Sequence, residues 1–120
     1  MATLKELLSE LSKLQGVNAV CLVGCDGFLI DSISNAKMEA ELVGAIASSG
    51  FGASESIGRE LGRGTLEITM LEFEQGPVII SPVGKDFLLV IVAGKDASLG
   101  MLRLKIKKLG TEIEAAAEAV

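Results

Sequence analysis

The chain has 120 residues, 49% of them apolar and 22% charged, with a formal net charge of −5 and no histidine. That length allows one domain with a modest core, spanning residues 1–120. The acid excess, with four Phe and no Tyr or Trp, leaves neither a basic stripe nor a stacking platform and excludes ordinary nucleic-acid recognition. No apolar run approaches 18 residues and the N-terminus carries acids, so a soluble cytoplasmic protein without membrane attachment is expected.

Thr3 with Glu6 three residues on forms a capping box that opens a first helix. Leu4, Leu7, Leu8, Leu11 and Leu14 form its stripe, and Gly16 closes it. Val17 to Gly24 is almost wholly apolar, the mark of a strand covered on both faces. Asp26-Gly27 is a strong hairpin signal, and Phe28 to Ser32 returns as the partner strand. Cys21 and Cys25 are about 13 Å apart on an extended run, too far for a disulfide, and read as buried structural thiols.

Met38 to Gly62 reads as one long helix. At 100° per residue Met38, Leu42, Ala45, Ile46, Ala53 and Ile57 fall on one side, with Leu61 at its margin, a broad stripe able to cover a sheet. The other side carries Ala40, Gly44, Ala47, Ser48, Ser54 and Gly58, with Phe51 standing out from it. Glycine inside a helix costs about 0.5–1 kcal/mol relative to alanine, so this small-residue side is expected to admit the close approach of a second chain. Central burial within one domain is the competing reading.

Gly62-Arg63-Gly64 ends that helix. Leu66 to Glu74 follows as an edge strand, with Leu66, Ile68 and Met70 on one face and Leu71 and Phe73 on the other. Val78 to Val83 and Phe87 to Ala93 are the next strands, the last so apolar that it belongs at the sheet centre beside the first. A final helix begins near Ala97 with a stripe of Leu99, Leu102, Ile106, Leu109, Ile113, Ala116 and Val120. The expected architecture is an α/β (α+β) sandwich in the order α-β-β-α-β-β-β-α. Five mainly antiparallel strands have the first and last helices on one face and the long middle helix on the other.

No catalytic constellation emerges. Without histidine neither a Ser-His-Asp nor a Cys-His arrangement can form, and there is no phosphate-binding GxxxxGK[ST] loop. Glu67, Glu72 and Glu74 read as solvating charges on an edge strand, and the run Arg103, Lys105, Lys107, Lys108 as a solvated helix face. No enzyme activity, cofactor or metal is expected. Binding is better supported, because an open strand edge invites another strand and twofold pairing is the commonest oligomer symmetry. Edge strands would then join and the two long helices lie side by side.

The order of VCLVGCDGFLIDS, MEAELVGAIASSGFGASESIGRELG and GPVIISPVGKDFLLVIVAGKDASLGMLRLKIKK resembles the roadblock-type dynein light chain family. Within it the chain is most like the bacterial and archaeal gliding-motility regulators partnered with a Ras-like GTPase. The resemblance covers nearly the whole chain. It implies a profilin-like fold and a homodimer through the middle helix and third strand, with an interface at Gly44, Ala47, Ser48, Phe51, Leu66, Ile68 and Met70. It further implies a non-enzymatic regulator or scaffold for a Ras-like small GTPase, contacted through Ala47, Phe51, Ser54, Glu55 and Arg59. Because the sequence departs from the motility regulators' pattern at Val120, recruitment through a charged C-terminal extension is not expected. Two other readings remain: an adaptor clamping a larger complex irrespective of nucleotide, and a small-molecule sensor with a polar pocket near Ser32, Asn35 and Ser81.

Overall fold

A computed structural model describes residues 2–34 and 37–120. The elements run α1 (Leu4–Ser12), β1 (Val17–Gly24), β2 (Leu29–Ser34), α2 (Ala40–Leu61), β3 (Thr69–Phe73), β4 (Gly76–Val83), β5 (Phe87–Ala93) and α3 (Leu99–Glu118). The sheet has the order β2-β1-β5-β4-β3, with every neighbouring pair antiparallel. The expected element order, central strands and helix placement hold.

Local chemistry accounts for the boundaries. The Thr3 hydroxyl accepts from the Glu6 amide at 3.2 Å and the Glu6 carboxylate accepts from the Thr3 amide at 3.0 Å. Hydrogen bonding to the carboxylate, first from the Thr3 amide and then from the Thr3 side chain, holds the Glu6 carboxyl below its ordinary range. α1 ends earlier than the leucine pattern suggests: the Leu14 amide donates to Leu11 O, three residues back, at 3.2 Å, and Gly16 turns the chain away with a φ of 82°. Leu14 leaves the helix yet still packs on the core. In the first hairpin the Gly24 amide donates to Phe28 O at 2.8 Å and the Phe28 amide to the Asp26 carboxylate at 3.1 Å. That turn leaves Phe28 exposed, and the return strand begins at Leu29. α2 stops at Gly62, whose φ of 63° provides a left-handed C-cap.

Cross-strand partners share a face, so the register sorts the core into two layers. Val20, Leu22, Leu89, Ile91 and Ile79 point to one side, where the leucines of α1 and Leu102, Ile106, Leu109 and Ile113 of α3 close over them. Cys21, Val23, Val90, Leu88 and Ile80 point to the other, under α2. The Lys5 ammonium donates to the Asp31 carboxylate at 2.7 Å and to Ser32 O at 3.2 Å, clipping α1 to the β2 edge. Lys105 and Glu10, 3.1 Å apart, join α3 to α1.

Two expectations about cysteine and serine need correction. Cys21 is buried, and burial pushes its thiol up to about 11, but Cys25 is exposed; both are free. Cys25 sits where β1 enters the turn, its thiol donating to Lys85 O at 3.4 Å. Its pKa is also raised, first by partial burial and then by Glu55, Asp86 and Asp26. Ser32 is level with Cys21 and Ser81 with Leu89, which places them on opposite faces of the sheet with two strands between. They cannot line one pocket. The third residue of that expected pocket, Asn35, lies outside the described residues.

Candidate functional site

The side of α2 that meets the sheet is the reverse of the one its large apolar residues suggest. Gly44, Ala47 and Phe51 are the buried positions of the helix. A Cβ on Gly44 would stand 3.1 and 3.2 Å from the two Val23 methyls, so only a very small residue lets the helix lie this low. Phe51, 5% exposed, fills the wider space farther along among Cys21, Val23, Leu88 and Val90. The Ser48 hydroxyl donates to Cys25 O at 2.9 Å and pins the helix to the first hairpin. The small-residue side therefore serves the chain's own sheet. Gly44, Ala47 and Phe51 are not available to a second chain, and Ser48 is half-buried. The competing burial reading holds for this side of the helix.

The large apolar stripe faces outward instead. Leu42, Ile46, Ile57 and Leu61 are 55–65% exposed, and Ala45, Ser49, Gly50 and Ala53 are exposed between them. The stripe has an internal symmetry. Leu42 and Leu61, Ile46 and Ile57, and Gly50 and Ala53 are each equidistant from the point between Phe51 and Gly52. Bulky residues stand at both ends and small ones at the middle. A Cβ on Gly50 or Gly52 would meet nothing within 4 Å, so packing within the chain gives no reason for glycine there.

β3 lies at the free end of the sheet. It is shorter than the apolar run predicts. After Gly62 and Gly64, both with positive φ, the chain first lays Leu66 against the α2-side cluster, and pairing begins only at Thr69. The register puts Met70 on the α1/α3 side, level with Ile79, and Thr69 and Leu71 on the α2 side, level with Ile80 and Val78. Ile68 and Met70 are half-buried against the larger core, whereas Leu71 and Phe73 are 42% and 60% exposed. Helix α2 leans on β1, β2 and β5, which leaves the β4–β3 end largely bare. Thr69 Oγ1 is the one fully buried side-chain oxygen or nitrogen among the described residues that lacks a hydrogen-bond partner, and it sits on this strand.

The expected contact residues thus divide. Leu66, Ile68 and Met70 flank or form the free edge strand. Ser54, Glu55 and Arg59 lie along one flank of α2, where the Arg59 guanidinium donates to the Ser56 hydroxyl at 2.9 Å. The residues that sequence reasoning assigned to the sheet, Leu42, Ile46, Ile57 and Leu61, are the exposed ones. Their symmetry about residues 51 and 52 was the signal that marked them. Among the described residues no three Cys, Asp or Glu side chains gather as a metal site, and no helix is long and apolar enough to cross a membrane.

Comparison with known proteins agrees with this architecture. Residues 3–93 match the model of the Roadblock/LC7 domain. The uncharacterized protein MJ0310 of Methanocaldococcus jannaschii is 40% identical over 109 residues, covering 91% of this chain and 95% of that protein. Among solved structures, Myxococcus xanthus MglB superposes with a TM-score of 0.87 at 22% identity, covering 98% of this chain and 96% of that one. The gliding protein MglB of Thermus thermophilus gives 0.88 at 19% identity, covering 98% and 90%. With the family model spanning three quarters of the sequence and the fold shared from end to end, the chain belongs to the Roadblock/LC7 domain family.

Proposed function

We propose that this protein is a homodimeric, non-enzymatic regulator or scaffold that binds a Ras-like small GTPase. The observation that carries the self-association is the symmetry of the exposed α2 stripe. In an antiparallel pair of helices with its twofold axis between Phe51 and Gly52, Leu42 of one chain meets Leu61 of the other and Ile46 meets Ile57. The glycines at the middle allow the helix backbones to approach closely. The same pairing sets the acidic start of one helix, Glu39 and Glu41, beside Arg59 and Arg63 of the other. Placed next to it, the β3 edge joins its counterpart and extends the sheet across the axis, which removes an exposed edge. Ser54, Glu55 and Arg59 then rim the paired helices as the surface offered to the GTPase.

The GTPase partner is supported by the sequence resemblance to the gliding-motility regulators and by the fold shared with MglB. Size exclusion with light scattering on the wild type and on Ile46→Arg with Ile57→Arg tests the first part. A dimer that the double change turns into a folded monomer is expected. With two large buried contacts replaced by charges on each chain, Kd should rise at least 100-fold, about 3 kcal/mol. Titration with a Ras-like GTPase in its GDP and GTP states tests the second part. Nucleotide-dependent binding weakened by Arg59→Glu is expected, and equal binding in both states would favour the adaptor reading instead.

A further inference from the structure

We infer that the groove between α3 and the β4–β3 end of the sheet, on the side opposite α2, is a second docking site, for an amphipathic helix with acidic and basic ends. The groove has a volume of about 590 Å³. Its floor and wall are apolar at Ile68, Val83 and Leu104, and Leu104 is 62% exposed although it lies on a packed helix. Ser81 is 5% exposed and lines the groove.

Charge selects the occupant. Lys105, from the same basic run, is paired with Glu10, but Arg103 and Lys107 line the groove and make no ion pair among the described residues. At the other end the Glu114 carboxylate lies over Gly84, eleven residues and about 16 Å along the helix from Arg103. Glu67 adds a second acid on the sheet-edge wall. The groove is therefore basic at one end and acidic at the other, with an apolar middle. A helix with acids in its first turns and bases in its last, the arrangement its own dipole favours, fits when it runs parallel to α3. Its apolar stripe then lies over Ile68 and Leu104.

The test uses the full chain and two synthetic 16-residue amphipathic peptides. Both share one apolar stripe; one has glutamates in the first two turns and lysines in the last two, and the other has these charges exchanged. Fluorescence anisotropy at low salt should show the glutamate-first peptide binding at least tenfold tighter, with amide shift changes concentrated at Ile68, Ser81 and Leu104. Arg103→Glu with Lys107→Glu alters two exposed side chains, so the fold should persist by circular dichroism while the preference reverses. Equal binding of both peptides, an unchanged preference in the variant, or shifts confined to the α2 stripe would overturn the assignment. So would no binding of either peptide at millimolar concentration. Co-sedimentation with phosphatidylserine vesicles that the same variant abolishes would make the basic patch a membrane contact instead, and would equally overturn it.

Discussion

The two faces of the sheet are built from the same kinds of residue but finished differently. On the α1/α3 face, two helices seal Leu22, Leu89 and Ile91 beneath interlocked leucines, and seventeen buried apolar residues form one cluster among the described residues. On the α2 face the corresponding cluster among the described residues has seven, and the covering helix turns Leu42, Ile46, Ile57 and Leu61 to the outside. The first face is a core completed within one chain. The second has the composition of a core that one chain leaves half made. In the proposed dimer the apolar stripe of α2 is buried by the assembly, which need not coincide with burial in the chain.

Breaking the finished face should have the largest effect on folding. Leu11→Ala removes a fully buried side chain from between α1, the sheet and α3, and urea denaturation should show a loss of about 3–4 kcal/mol. Self-association, measured on the folded fraction, should hardly change.

On the α2 face the counterpart is Cys21, which is 0% exposed. Its thiol rises from an ordinary 9.0 to about 11 in the folded chain because the thiolate would be desolvated. Between these values the unfolded chain releases a proton that the folded chain keeps, so stability is full below pH 9 and falls as pH rises to 11. The loss is about 3 kcal/mol at 1.36 kcal/mol per unit. Cys21→Ala, although less stable at neutral pH, should lose this component of the alkaline decline. An identical decline in the variant would assign it to other groups.

The smallest effect is the most discriminating one. Gly50→Ala adds a methyl where nothing lies within 4 Å. It should stabilise the monomer by about 0.5–1 kcal/mol through helix propensity while weakening self-association. Opposite signs from one substitution would separate the needs of the chain from those of the assembly. Strengthened self-association would place the axis elsewhere on the stripe.

Much of the fold was legible in the sequence because the relevant information is local. Val17–Gly24 and Phe87–Ala93 announce doubly covered strands by having almost no polar residue, and Thr3 with Glu6 marks a helix start by side-chain geometry alone. The orientation of α2 was not legible in the same way. Its wheel shows one large apolar side and one small side, and both can be buried. Which side meets the sheet depends on how high Val23 stands beneath Gly44, a distance that exists only after the strands are paired. The division between Ser32 and Ser81 had the same origin, since pleat parity assigns faces once the register is known. The edge strand was recognised from its interleaved glutamates, but its start was set too early, because Leu66 is apolar for the sake of the α2-side cluster rather than for strand pairing.

Beyond Phe51 no residue of α2 is buried, so the last ten residues of the helix project with little beneath them. Their backbone hydrogen bonds are open to solvent from several directions, and opening them disturbs almost no packing. Amide protons from Gly52 to Leu61 should exchange far sooner than those of β1 or β5 in a solitary chain, and should become slow once a second helix lies alongside. In the proposed dimer the durability of this segment becomes a function of protein concentration, and an exchange time course recorded at two dilutions would read out the assembly one amide at a time.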